Sequence, residues 1–406
     1  MKIILLMLAL LFTTALANAQ TPESRQFGDD IRFPNLPFYS YGSGLGFTTP
    51  DSTFRLNIRF RMQNRTTYVI RNNADDSIEA TVRRLRLRFD GFVGDPRFLY
   101  AIQLSFAPGD VGEISPGDNI NIIRDAVFYY QPNRLWSIGF GQTKLPGNRQ
   151  RINSSGALQL TDRSINNARF TIDRDYGIFI NYQVEDAERF SWGVKSAIST
   201  GDGRNYTRNP DTNLAYTTRL ELYPLGAFLG NGALFEGDIK REQTPKVLLG
   251  ATYHYNQGAK RTRGQTGSDL FESRDLTSIH LDAMLKYQGF AFQTAWMNRT
   301  TDNPLTVDFE DPSLTNVVQT GNGYDFQMSY IFPSDYEIIG RFSAQTPGRI
   351  AKNIEPKTEQ ISFGLTRYIW EHALKMQAEV TQTRFTFPDS SSRNDWYLRF
   401  QIEIGI

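Results

Sequence analysis

From residue 52 to the last residue, stretch after stretch of the chain places large apolar side chains at every second position. Phe54, Leu56, Ile58, Phe60 and Met62 share one parity, and Arg55, Asn57, Arg59, Arg61 and Gln63 share the other. The next such stretch, VRRLRLRFD from Val82 to Asp90, alternates Arg84, Arg86 and Arg88 with Leu85, Leu87 and Phe89. Period two marks a strand with two unlike faces. A soluble sheet turns its polar face to water, where three stacked arginines repel one another and residues of mixed sign serve better. Oil on one side and stacked positive charge on the other suit the wall of a transmembrane β-barrel with an arginine ladder in its lumen.

The pattern continues through sixteen candidate strands, whose outward residues begin at Phe54, Leu85, Phe98, Ala126, Trp136, Tyr176, Phe190, Tyr216, Val247, Ile279, Phe290, Tyr324, Tyr336, Ile361, Leu374 and Trp396. The chain therefore reads as all-β: a 16-stranded antiparallel transmembrane β-barrel with short periplasmic turns and long extracellular loops. Short connections such as Gly94-Asp95-Pro96, Gln131 to Arg134 and Gln288-Gly289 leave even-numbered strands, and the longer ones leave odd-numbered strands. This is the order expected when both termini are periplasmic. Pro224 to Lys246 breaks the rule, as either a long periplasmic excursion or a slip in the count. Trp136, Tyr336 and Trp370 gather near the short turns, as an interfacial aromatic girdle does.

Composition narrows the class further. No apolar run reaches the roughly 20 residues of a membrane helix beyond the start of the chain, and the absence of cysteine excludes thiolate metal sites and a disulfide scaffold. The formal charge is only +1, without the basic excess of a nucleic-acid partner. Residues 1–19 read as a signal peptide: Lys2, an apolar stretch from Ile3 to Leu16, then Ala17-Asn18-Ala19 before Gln20. Residues 20–51, rich in Gly, Pro, Phe and Tyr, read as an irregular periplasmic lead-in, and 52–406 as the barrel. The expected location is the outer membrane, in contact with its lipid.

Chemistry is expected in the lumen. Arg59 and Arg61 face Arg84, Arg86 and Arg88 across one hairpin, a panel of planar donors suited to anions. The same arginines also suit a plain scaffolding role against inward acids such as Asp90, Asp125, Glu221, Glu337, Glu379 and Glu403. Alternation stops over 143–173, and its stretch from Thr143 to Thr171 carries Lys144, Arg149, Arg151, Arg163 and Arg169 against the single acid Asp162. A connection this long in a compact fold needs a reason, and folding into the lumen as a constriction supplies one. Ser278, His280 and Asp282 share a parity on one strand with His254 beside them, but polar lumen filler explains them better than a catalytic triad. No nucleotide, hydrolase or metal-site motif is present, so neither enzyme activity nor a cofactor is expected.

Three stretches carry a resemblance to a known family: RRLRLRFDGFVGDPRFLYAIQLSFA; DAVFYYQPNRLWSIGFGQTKLPGNRQRINSS with LTDRSI; and the closing pattern from Trp396 to Ile406. Together they resemble the outer-membrane phosphate-selective porins O and P. The resemblance implies a sixteen-stranded barrel, usually a homotrimer, in which anions pass along an arginine ladder beside an infolded third loop bearing a lysine. Arg59, Arg61, Arg84, Arg86 and Arg88 look like ladder positions, and Lys144 in GQTKLPG looks like the loop lysine, with Arg149 and Arg151 close by. The chain departs from the pattern in ending on Ile406 rather than phenylalanine and in its many lumen acids. The expected function is passive diffusion of small hydrophilic, preferably anionic, solutes. The alternative is a non-conducting barrel serving as a structural subunit of an outer-membrane complex.

Overall fold

A computed structural model describes residues 44–72, 74–111, 121–205 and 211–406. Residues 1–19, read above as a signal peptide, and most of the lead-in lie outside these residues. Within them the chain forms β1 (Leu45–Thr48), β2 (Phe54–Ile70), β3 (Ser77–Val93), β4 (Asp95–Ser105), β5 (Ile123–Tyr130), β6 (Trp136–Lys144) and β7 (Arg174–Val184). It continues as β8 (Ser191–Ser199), β9 (Ala215–Tyr223), β10 (Lys246–Arg261), β11 (Asp269–Tyr287) and β12 (Phe290–Thr300). A small hairpin, β13 (Leu305–Val307) with β14 (Thr315–Val317), precedes β15 (Gly321–Ile331), β16 (Tyr336–Pro347), β17 (Lys357–Trp370), β18 (Leu374–Thr386) and β19 (Ser392–Gly405).

Leaving aside β1 and the small hairpin, sixteen strands pair antiparallel in chain order. The sheet closes where β19 meets β2, from Trp396 opposite Ile70 to Gly405 opposite Arg61. Closure leaves no unpaired edge among the spanning strands, which lipid requires because it offers no hydrogen bonds. Just past that seam, β1 pairs with Arg55–Ile58 of β2. The lead-in is thus not irregular throughout: its last residues continue the line of β19 along β2.

The faces are those of an inverted protein. On β15, Tyr324, Phe326, Met328 and Tyr330 are exposed, and the alternate residues Gly323, Asp325, Gln327 and Ser329 are buried. Aromatic pairs ring the short-turn end, among them Trp136–Tyr182 at 4.8 Å, Tyr182–Trp192 at 5.3 Å and Phe98–Tyr130 at 5.1 Å between centroids. The connections at the other end are not uniformly long. Those at 71–76, 262–268 and 387–391 are brief, because their flanking strands run on as hairpins. β11 spans 19 residues, well beyond the roughly 9–11 a membrane strand needs.

Among the register shifts of the barrel, two bear on the charge of the lumen. The β2–β3 register shifts between Gln63 and Asn64, so Arg83 has no partner residue. The β4–β5 register shifts between Gln103 and Leu104, which leaves Arg124 in the same position. A bulge sends two successive side chains to one face. Arg83 and Arg84, like Arg124 and Asp125, therefore both turn into the lumen.

The lumen is filled by chain from both ends. From the long-loop end, residues 145–173 fold inward as helical turns at Arg149–Ile152 and Ile165–Phe170 joined by irregular backbone. From the short-turn end, the segment 224–245, with a 3₁₀ turn at Leu229–Leu234, does the same. The long connection after β9 is therefore a true excursion and not a miscount. The two segments meet: Arg149 donates Nη1 to Ala233 O at 2.9 Å, and the Gln159 amide donates to Glu236 Oε2 at 3.0 Å. The wall accommodates them by departing from a purely polar inner face. Leu248 and Met284 face Phe228 and Ala233, and Met297 and Ala295 face Phe170.

Candidate functional site

The infolded loop takes its position from the wall formed by β15–β19. Ser164 caps the second helical turn, accepting from the Asn167 amide at 3.2 Å, and donates its hydroxyl to Asp325 at 2.8 Å. Asn166 donates to the same carboxylate at 2.9 Å. Glu379 accepts from the Thr161 amide at 2.9 Å, and Gln159 reaches Glu337 and Ser329. Lys375 donates to Leu158 O at 2.6 Å, and Gln377 to Gln159 O at 2.8 Å. The inner face is shaped for this contact. A Cβ on Gly323 would lie 2.3 Å from Asn166 Oδ1 and 2.8 Å from Phe170, and one on Gly364 would lie 2.3 Å from Leu160. Glycine permits that close approach by having no side chain.

On the opposite side, between the loop and the wall of β2–β8, a cavity of about 80 Å³ remains. That is room for about five waters or one small polyatomic ion. Nine basic side chains line it: Arg61, Arg86, Arg88, Arg124, Lys144, Arg151, Arg163, Arg174 and Lys195. Among the described residues Asp125 is the one acid in the lining. The loop contributes Leu145, Pro146, Ile152, Ser154 and Ser155, and the Ser155 hydroxyl bridges Arg61 at 2.7 Å and Arg86 at 2.9 Å.

Neutralisation is partial. Asp110 lies between Arg86 at 2.7 Å and Arg124 at 2.8 Å. Asp125 takes a two-pronged contact from Arg174 at 2.9 and 3.1 Å. Asp173 pairs with Arg151, and Glu221 with Lys195 at 2.7 Å. Arg88 meets Asp90 at 3.0 Å. Lys144 donates to the carbonyls of Ile152 at 2.9 Å and Asn153 at 3.3 Å, and Arg163 donates to the carbonyls of Gln150 and Asn153. These last two cations engage dipoles rather than carboxylates. Burial by itself would raise the carboxyls of Asp110 and Asp173, but the charges of Arg86 and Arg124 on the first, and of Arg151 and Arg174 on the second, hold both well below the usual carboxylate range. Both acids stay ionised, and the excess on the cavity side stays positive.

Of the sequence-selected residues, Arg61, Arg86, Arg88, Lys144 and Arg151 come together at this cavity. Arg59, Arg84 and Arg149 do not line it. Arg59 pairs with Asp90 at 2.7 Å, Arg84 with Asp162 at 2.9 Å, and Arg149 with Glu221 deep against the short-turn segment. The cavity also gathers Arg124, Arg174 and Lys195, which the arginine-ladder pattern does not include. Arg174 and Lys195 sit at inward positions of recognisable strands, whereas Arg124 reaches the lumen only through its bulge. The histidines assemble no relay. Asp282 receives both Nη atoms of Arg219 at 2.7 Å, and neither ring nitrogen of His280 has a hydrogen-bond partner. Among the described residues no cluster of three or more His, Cys, Asp or Glu side chains is arranged to hold a metal ion.

Comparison with known proteins gives the following. Residues 54–349 match the sequence profile of the family described as phosphate-selective porin O and P. No curated protein sequence matches the chain. The outer membrane channel DcaP of Acinetobacter baumannii superposes with a TM-score of 0.55 at 12% identity, over 89% of this chain and 99% of that one. An anion-selective porin from Comamonas acidovorans superposes at 0.53 with 11% identity, over 86% and 99%. OmpF of Salmonella typhi, in complex with daunomycin, superposes at 0.54 with 11% identity, over 88% and 100%. At such identities the likeness shows the fold.

Proposed function

Because the chain belongs to the phosphate-selective porin O and P family, we propose that this outer-membrane barrel is a porin through which small hydrophilic solutes diffuse down their gradients, with anions preferred. One observation carries the preference: nine basic side chains and a single acid line the space left between the infolded loop and the β2–β8 wall. Rings of one charge in a narrow, low-dielectric passage concentrate counter-ions and exclude co-ions. In this reading Arg61, Arg86, Arg88, Lys144 and Arg151 form the narrow part of the pathway. Arg59 and Arg84 extend it along β2 and β3, and Arg149 braces the loop. The forked guanidinium suits oxyanions such as phosphate. The proposal includes a homotrimer in outer-membrane lipid, as membership of the family suggests, and export through the signal peptide at 1–19.

A second reading has its own support. The inward segments 145–173 and 224–245 bond to each other across the lumen, as they would in a barrel serving as a structural partner without conducting. Reversal potential of the purified protein in a planar bilayer under a KCl gradient tests both. We expect conductance with the reversal shifted toward the chloride equilibrium. Cation preference would overturn the anion pathway, and absence of conductance would favour the structural role.

A further inference from the structure

Closer to the long-loop end than the cavity, a second basic cluster surrounds one side chain of the loop. Asp162 receives Arg65 at 3.1 Å, Arg83 at 2.8 Å and Arg84 at 2.9 Å. Arg341 donates to its backbone carbonyl at 2.9 Å. Arg65 and Arg84 are inward residues of adjoining strands, and Arg83 joins them only because the bulge turns it off the lipid face. Three forked donors on one carboxylate exceed what holding a loop in place requires. A single two-pronged contact already engages both carboxylate oxygens, whereas here three guanidiniums, Arg84 among the buried residues, bring three positive charges to one negative charge. The arrangement is that of an occupied oxyanion site.

We propose that Arg65, Arg83 and Arg84 form a binding site for multiply charged oxyanions, and that Asp162 is its tethered occupant, displaced when such a solute arrives from the long-loop side. The inference rests on the anion-pathway reading and adds to it a competitor built into the chain. Several features fit displacement. Asp162 brings one negative charge to three guanidiniums, so a dianion is the better partner for them. Its carboxyl remains an anion: burial would raise it, but Arg84, Arg83, Arg65 and the more distant Arg399 outweigh burial and hold it well below the usual range. The site lies next to the cavity, since Arg84 donates to Gln63 at 2.6 Å and Gln63 reaches Ser155 O at 3.1 Å. An anion released from the site therefore has a basic neighbour one side chain away. Asp162 is also adjacent to Thr161, whose hydroxyl and amide are bonded to Glu379. Lifting Asp162 thus loosens a second anchor of the loop.

The test uses inorganic phosphate as the probe. In bilayers, phosphate at constant ionic strength should reduce the chloride current of the wild type, and Asp162→Asn should lower the half-blocking concentration about tenfold, the change made by removing ~1.4 kcal/mol of competition. Asp162→Glu, which keeps the competitor, should stay near the wild type, and adding Arg83→Gln to Asp162→Asn should reverse the gain. Equal half-blocking concentrations in the wild type and in an Asp162→Asn barrel that retains heat-modifiable mobility would overturn the proposal. A second arm leaves the cluster intact. The chain has no cysteine, so Thr161→Cys introduces a single thiol, buried beside Asp162. Its modification by a neutral methanethiosulfonate in detergent should accelerate with phosphate but not with chloride at the same ionic strength; an unchanged rate would overturn displacement. This arm needs no conductance, so failure of the pore reading and failure of the displacement proposal give different results.

Discussion

The two sides of the lumen treat the loop differently. Along β15–β19 the inner face offers Asp325, Glu337, Glu379, amides, glycines and the cations Lys375 and Arg341, and the loop is fastened there by hydrogen bonds to its donors and carbonyls. Along β2–β8 the inner face offers arginine and lysine, and the loop stands off and leaves a cavity. The inward acids thus divide into two groups. Those of β15–β19 act mainly as sockets for loop donors. Asp90, Asp125 and Glu221 neutralise part of the basic wall. Counted together, acids and bases cancel and the lumen looks neutral. Taken by position, they separate an anchoring wall from a wall that a solute would meet.

The largest break in this contrast is to invert the basic side. Replacing Arg61, Arg86 and Arg88 by glutamate exchanges three cations for three anions at the cavity, and the reversal potential under a KCl gradient is expected to change sign from anion to cation preference. A smaller effect comes from spoiling the anchoring side. Gly323→Val puts a side chain where Asn166 and Phe170 pack, at an overpacking cost of ~1–3 kcal/mol. The helical turn 165–170 should lift from β15, with lower thermal stability by heat-modifiable mobility and noisier, larger conductance, while anion preference stays. The smallest effect is that of pH. Asp110, Asp162 and Asp173 have folded values depressed below the unfolded carboxyl value, ~3.9. Their contribution is therefore fully present above that value and lost only as pH falls through the lower folded ones. The ratio of wild-type to Asp162→Asn conductance in KCl should stay constant from neutral pH to about pH 4, and a change of that ratio within the interval would show that Asp162 does not remain an ion-paired carboxylate.

Most of the barrel can be read by counting. Parity alone puts Arg61, Arg84, Arg86 and Arg88 inside and Phe60, Leu85 and Phe89 outside, because lipid allows an unbroken strand no other arrangement. The same counting would send Arg83 and Arg124 into lipid, and a bulge is a local register change that alternation does not announce. The infolded loop was legible from its length and charge, but its choice of wall was not, since hydrogen bonds between Ser164 and Asp325 or Thr161 and Glu379 join residues more than 150 positions apart. The excursion at 224–245 did leave a trace. Leu248 and Met284 are apolar at inward positions, where a water-filled lumen has no use for them, and each lies against that segment.

The bulges have a consequence for how such a wall can change over time. A regular strand offers the lumen one side chain per two residues, about 6.6 Å of length. Charge density on a regular wall is therefore capped by geometry, and raising it by substitution removes whatever stood at the inward position before. A single inserted residue escapes that cap. It adds one inward side chain at about half the spacing, and because two residues then oppose one, the strand on either side keeps its apolar parity toward lipid. Arg83 and Arg124 both occupy such positions. Insertion of one codon can thus thicken the charge on the wall of a pore without editing any residue already there.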